Sequence, residues 1–223
     1  MRTEEGNASA LSGAAFLSAL VVNNLADRYV ERVGELAHPN PDSILGLLPF
    51  LDLRFVYLWG AAAFIALALW TALFLERPRA SYLARVYAAL ILVRSGLMVL
   101  TPMHIPAEAL PLQGSALYDG AGRLFTARHD LFFSLHAALP FLGFLAFRTR
   151  AVRRACLGFS VLLAATVLLG RNHYSLDVGA AYFITYAVYR LEARFIEARL
   201  RGYNRIPLQQ LDESSMGRPR ASV

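Results

Sequence analysis

Apolar positions along this chain fall into six long runs, divided by polar links that carry arginine. The runs cover Leu11 to Leu25, Phe55 to Leu75, Val86 to Met103, Leu131 to Phe147, Ala155 to Gly170 and Tyr174 to Tyr189. A helix needs about 20 apolar residues to cross roughly 30 Å of hydrocarbon. Phe55 to Leu75 meets that length without one charge, whereas the first run is shorter and is expected to end at Asn23 and Asn24. Arg94 interrupts the third run, the fourth contains His136 and Pro140, and the sixth carries Asp177 near its start. The pattern predicts an all-α, polytopic membrane protein. One bundle of six transmembrane helices is expected over residues 1–205, followed by a polar, disordered cytoplasmic tail at 206–223.

Composition removes the soluble alternative. Hydrophobic residues make up 57% of the chain and charged residues 17%, against about 25% charged in an ordinary soluble domain. The mean hydropathy of +0.43 agrees. The net charge of +6 comes from arginine alone. These arginines lie between apolar runs and not along one soluble face, so they argue for topology control and against a nucleic-acid partner. The single cysteine, Cys156, allows no intramolecular disulfide.

The arginines separate the connections into two sets. The links after the second and fourth runs hold Arg77, Arg79 and Arg85, and then Arg148, Arg150, Arg153 and Arg154; Arg190, Arg194, Arg199, Arg201 and Arg205 follow the sixth. The positive-inside rule assigns this set, and with it both termini, to the cytoplasm. Glu4 and Glu5 make the N-terminus a poor signal-peptide start, so the first run is read as a retained helix. His104, His129, His136 and His173 then fall at or near the outward face, together with Asp130 and Asp177. Compact loops and exclusive use of arginine suit a bacterial inner membrane, with the site facing the periplasm.

Candidate chemistry gathers there. His173 and Asp177 are four apart, so on a helix they share a face. A carboxylate there holds one imidazole nitrogen and leaves the other as nucleophile or base; the pair also suits a plain helix start, with Asp177 near the positive end of the dipole. His136 lies inside an apolar run, where an ionisable group faces a cavity or a partner; it equally suits a packed helix, as does Ser134. Arg94, in mid-span, requires an anion, a helix carboxylate or access to water. Together these residues offer a nucleophile, an acid for a leaving oxygen and cations for phosphate oxygens. No metal ligands at zinc spacing are present and no cofactor is required.

Several segments resemble the sphingomyelin synthase family, within the type-2 phosphatidic-acid phosphatase superfamily. His173-Tyr174-Ser175-Leu176-Asp177, followed by Ala181-Tyr182-Phe183-Ile184-Thr185, resembles its last signature. Asp130-Leu131-Phe132-Phe133-Ser134-Leu135-His136 is similar to its Asp-x-x-Phe-Ser-Gly-His signature, with Leu135 at the glycine position. Arg94-Ser95-Gly96-Leu97-Met98-Val99-Leu100-Thr101 resembles its third-helix arginine segment, and Pro41-Asp42 its proline-aspartate segment. The resemblance implies a six-helix bundle with an outward site. His173 would attack phosphorus to form a phosphohistidine, Asp177 would orient it, and His136 would protonate the departing alcohol. Arg94, Asp130 and Ser134 fall in the matching segments as substrate or phosphate ligands, and Arg171 substitutes for an arginine the superfamily carries upstream.

The expected function is therefore an integral membrane phosphotransferase moving a phospholipid head group to the hydroxyl of ceramide or diacylglycerol. Its partners are membrane lipids. The alternatives are a lipid phosphate phosphatase or phospholipase C-type hydrolase, and a catalytically silent lipid-binding membrane protein.

Overall fold

A computed structural model describes residues 2–34, 36–38, 40–106, 108–111 and 131–203; the expected tail at 206–223 lies outside them, as do His129 and Asp130. Every regular element among the described residues is helical. In chain order these are α1 (Arg2–Gly34), α2 (Ser43–Leu47), α3 (Arg54–Trp70), α4 (Ala80–Leu100), α5 (Leu135–Ala146), α6 (Arg150–Leu169) and α7 (Ser175–Tyr203). A π-helical turn, Thr71–Leu75, and a 3-10 turn, Arg77–Arg79, join α3 to α4. The chain divides into two units, Met1–Tyr189 and Arg190–Val223, and the packing that follows is that of the first.

Among the described residues four stretches are long and apolar enough to cross a membrane: Ser9–Gly34, Arg54–Leu75, Arg77–Leu100 and Arg150–Leu169. Six were expected. The fourth run gives only the 12-residue α5, about 18 Å long at 1.5 Å per residue, because Leu131–Ser134 stays non-helical ahead of it. The first run is longer than expected, since α1 continues for 33 residues, through Asn23 and Asn24. Asn23 does not end the helix because its amide is buried and bonded, donating to Asp27 Oδ2 at 2.9 Å and accepting from Arg94.

The interior is a thin apolar seam. Tyr57 of α3, Val86 and Leu90 of α4, Ala137 and Leu142 of α5, and Val167 of α6 meet Val178 and Ala181 of α7 in one cluster. Alanine and valine dominate, which lets the helices approach closely. A second cluster joins Phe64, Leu83, Phe147, Val152 and Cys156, and α1 packs along α4 through Ala19, Ala88 and Ile91, then Ala26, Val30 and Met98. Many other large side chains point outward: Leu17, Phe55, Trp59, Trp70, Phe74, Val161 and Phe183 are all exposed. Apolar exteriors wrapped on fully helical backbones are what a hydrocarbon solvent favours.

The connections meet in two groups. At one end Glu76 is buried against the α5–α6 link, where its Oε1 accepts the backbone N–H groups of Arg148 (2.7 Å) and Thr149 (2.9 Å) and the Thr149 hydroxyl. Arg79 pairs with Glu76 and donates to the Ala146 carbonyl at 2.8 Å. At the other end Leu51 N–H reaches Leu169 O, Leu110 N–H reaches Gly170 O, and the Tyr174 hydroxyl donates to His104 O. The α3–α4 and α5–α6 links thus meet at one end, and the links before α3, after α4 and after α6 meet at the other.

Candidate active site

The non-helical stretch Leu131–Ser134 binds three elements within four residues. The Leu131 carbonyl accepts from His173 Nδ1 at 3.0 Å, the Phe133 carbonyl accepts from Arg94 Nε at 3.0 Å, and Ser134 N–H donates to the Asp177 carbonyl at 3.4 Å. Leu131, Phe133 and Ser134 are all buried, so these main-chain groups have no water to fall back on.

A helix end delivers His173. After α6 the chain turns at Gly170, where an added Cβ would meet Asn172 Oδ1 at 2.8 Å and Thr166 O at 3.1 Å, so only glycine fits without a shift. Arg171 follows in the left-handed region at φ 53°, a conformation that costs a non-glycine residue on the order of 1 kcal/mol or more. Asn172 and His173 N–H groups then both close onto Val167 O, at 2.9 and 3.3 Å. Asn172 Nδ2 fastens the turn to Leu110 O at 3.0 Å.

A carbonyl only accepts, so the bond from Leu131 places the imidazole proton on Nδ1 and leaves the lone pair of the neutral ring on Nε2. Sequence reasoning gave that orienting role to Asp177. Its carboxylate is fully buried and lies 3.7 Å from His173 Nδ1, beyond a hydrogen bond. Asp177 Oδ2 instead accepts Tyr174 N–H at 3.0 Å, as a first-turn acid of α7 satisfies its own helix start. The Leu131 carbonyl, and not Asp177, thus makes the hydrogen bond to His173 Nδ1.

His136 occupies the first turn of α5, its ring on Tyr57 with centroids 4.1 Å apart. Arg94 of α4 and His173 both bond the Leu131–Ser134 stretch that leads into α5, which brings them to the start of the helix that carries His136. Ser134 is the N-cap residue of α5 but makes no side-chain cap bond, and Ser134 Oγ and Asp177 Oδ1 have no hydrogen-bond partner among the described residues.

The two arginines expected on phosphate are engaged by the protein. Arg94, 1% exposed, gives Nη1 to Asn23 Oδ1 at 2.9 Å and lies 4.0 Å from Asp27 Oδ1, besides its bond to Phe133. Arg171 pairs with Glu108. Asp130 lies outside the described residues.

Sequence reasoning missed Asn23, Asp27 and Tyr57. Asn23 and Asp27 carried a usable signal, two polar residues four apart that share a helix face beside an otherwise apolar run. Tyr57 carried none. Asp42, noted only for its likeness to a family segment, proves to cap two helix starts: its Oδ1 accepts from Ile44 and Leu45 N–H, and its Oδ2 from Ser175 N–H.

The chain matches no known family model, no curated protein and no solved structure. The functional reading therefore rests on the residues themselves.

Proposed function

We propose that the chain is an integral membrane phosphotransferase that passes a phospholipid head group, through a phosphohistidine at His173, to the hydroxyl of ceramide or diacylglycerol. The observation that supports this reading best is the Leu131 carbonyl on His173 Nδ1, which commits the Nε2 lone pair to one direction. Nε2 attacks phosphorus, the P–O bond to the lipid breaks, and His136 gives its proton to the departing alcohol. The acceptor hydroxyl then attacks the phosphohistidine, its proton passes to His136 and the P–N bond breaks. The Ser134 hydroxyl and the first-turn N–H groups of α5 supply donors for phosphate oxygens. No cofactor enters. In this reading α5, entered through Leu131–Ser134, and α7 complete six spans. The positive-inside rule turns the Tyr174 end toward the periplasm of a bacterial inner membrane.

A second reading, a silent lipid-binding bundle, is favoured by a specific observation. Arg94 and Arg171 already bind Asn23, Asp27 and Glu108, and Leu135 stands where the resembling family has glycine. Purified protein in mixed micelles with head-group-labelled phospholipids, with and without ceramide or diacylglycerol, separates the readings. Labelled head group on the acceptor supports transfer. Release of water-soluble phosphoester without acceptor dependence replaces transfer by hydrolysis. Unchanged lipid with every donor leaves only the silent bundle.

A further inference from the structure

At the end of the bundle opposite His173, the α3–α4 and α5–α6 links carry exposed arginines around a single buried acid. From Arg77 to Leu100, and from Leu131 to Leu176, the sequence contains no carboxylate side chain. Glu76 is the one acid within the α3–α4 and α5–α6 links, and it is buried under the N–H groups of Arg148 and Thr149 and under Arg79. Its carboxylate is taken up by these groups, while Arg77, Arg148, Arg150 and Arg154 are exposed. None of the four makes an ion pair among the described residues.

Those arginines stand where three apolar stretches end, at Leu75, Arg77 and Arg150, which is the depth of lipid head groups. Just before them Trp70 and Phe74 lie with ring centroids 4.5 Å apart and are 56% and 65% exposed, as aromatic residues are at a membrane–water boundary. Exposed aromatic surface and unmatched guanidinium groups thus lie together, and guanidinium binds phosphate oxygens in pairs. From this juxtaposition we infer that the α3–α4 and α5–α6 links form a binding site for an anionic phospholipid. Its phosphodiester lies on Arg77, Arg148, Arg150 and Arg154 and its acyl chains lie against Trp70 and Phe74. The site does not depend on the catalytic reading, being built from other residues at the other end of the bundle.

The chain has two tryptophans, so Trp59→Phe makes Trp70 a single reporter. The full-length Trp59→Phe protein is reconstituted into phosphatidylcholine vesicles containing a minor fraction of acyl-brominated phosphatidylglycerol, or of brominated phosphatidylcholine in its place. The brominated anionic lipid is expected to quench Trp70 as though enriched about fivefold over its bulk fraction, and enrichment should shrink as salt rises to about 0.5 M. The brominated zwitterionic lipid should quench only in proportion to its amount. Replacing the four arginines by glutamine is expected to bring the two lipids level. Equal quenching by both lipids in the Trp59→Phe protein overturns the inference whatever the arginine variant does. Full displacement by inorganic phosphate at about 10 mM overturns it too, since the site would then read a free anion and not a lipid.

Discussion

Asp42 Oδ2 accepts the backbone N–H of Ser175 at 2.6 Å, joining residues 133 apart in sequence. The same carboxylate caps α2, so one side chain fixes the loop before α3 and the first residue of α7, two positions after His173. Burial acts to raise the Asp42 carboxyl, but hydrogen bonds from Leu45, Ser175 and Ile44 outweigh it and hold the group below its ordinary 3.8. A carboxyl depressed in the folded state stabilises fully above its unfolded value and loses that contribution as pH falls through the folded one. Asp42→Ala is therefore expected to cost about 1–2 kcal/mol near neutral pH. The gap to the parent protein should narrow below about pH 4. Thermal unfolding in detergent across that range measures both; a gap that stays constant in acid would assign the effect to lost packing alone.

Arg94 is a bridge between α1 and the Leu131–Ser134 stretch. Arg94→Ala should destabilise by about 3–5 kcal/mol, because it leaves Asp27 buried without its cation. Asp27→Ala in the same background should recover part of that loss, giving a coupling of about 1 kcal/mol or more. Additive effects in unfolding titrations would deny the pair.

His173 and His136 separate by leaving group. On a phospholipid, His173→Ala should abolish turnover and His136→Ala should lower it about 10²–10⁴-fold. On a nitrophenyl phosphodiester, whose leaving oxygen needs no proton, first-turnover release of nitrophenol should recover in His136→Ala and not in His173→Ala. Recovery of both variants would remove His173 as nucleophile.

Gly143 of α5 sits where an added Cβ meets Cys156 Sγ at 2.9 Å, Tyr87 Oη at 3.1 Å and Phe147 Cε2 at 3.2 Å. Gly143→Ala is expected to cost about 1–3 kcal/mol by overpacking. Gly96 of α4 has nothing within 4 Å of its added Cβ, and Gly96→Ala should be neutral or stabilising by up to about 1 kcal/mol. Paired melting curves of the two variants test the packing between α5 and α6.

The helical class and most element positions were legible because apolar runs such as Phe55 to Leu75 are long and uninterrupted. What misled was polarity read locally. Asn23 looks like a helix end until Arg94, 71 residues away, is seen to accept it as a partner. Leu131 to Phe147 looks like one helix, since hydropathy does not register that Leu131, Phe133 and Ser134 give their main-chain groups to His173, Arg94 and Asp177 instead of to a helical ladder. For the same reason the pairing of His173 with a backbone carbonyl was invisible. Spacing exposes side chains that share a face, but every residue has a carbonyl, and only folding selects the one that is used.

The Leu131–Ser134 stretch works as a shared hinge pin. A displacement of any one of its three anchors loosens the supports of the other two, so damage at α1, α4 or the start of α7 should reach the imidazole by the same route. Substitutions scattered over these elements would then give one common defect whose severity saturates, and a lipid or protein contact that tightens any single anchor would firm the whole centre.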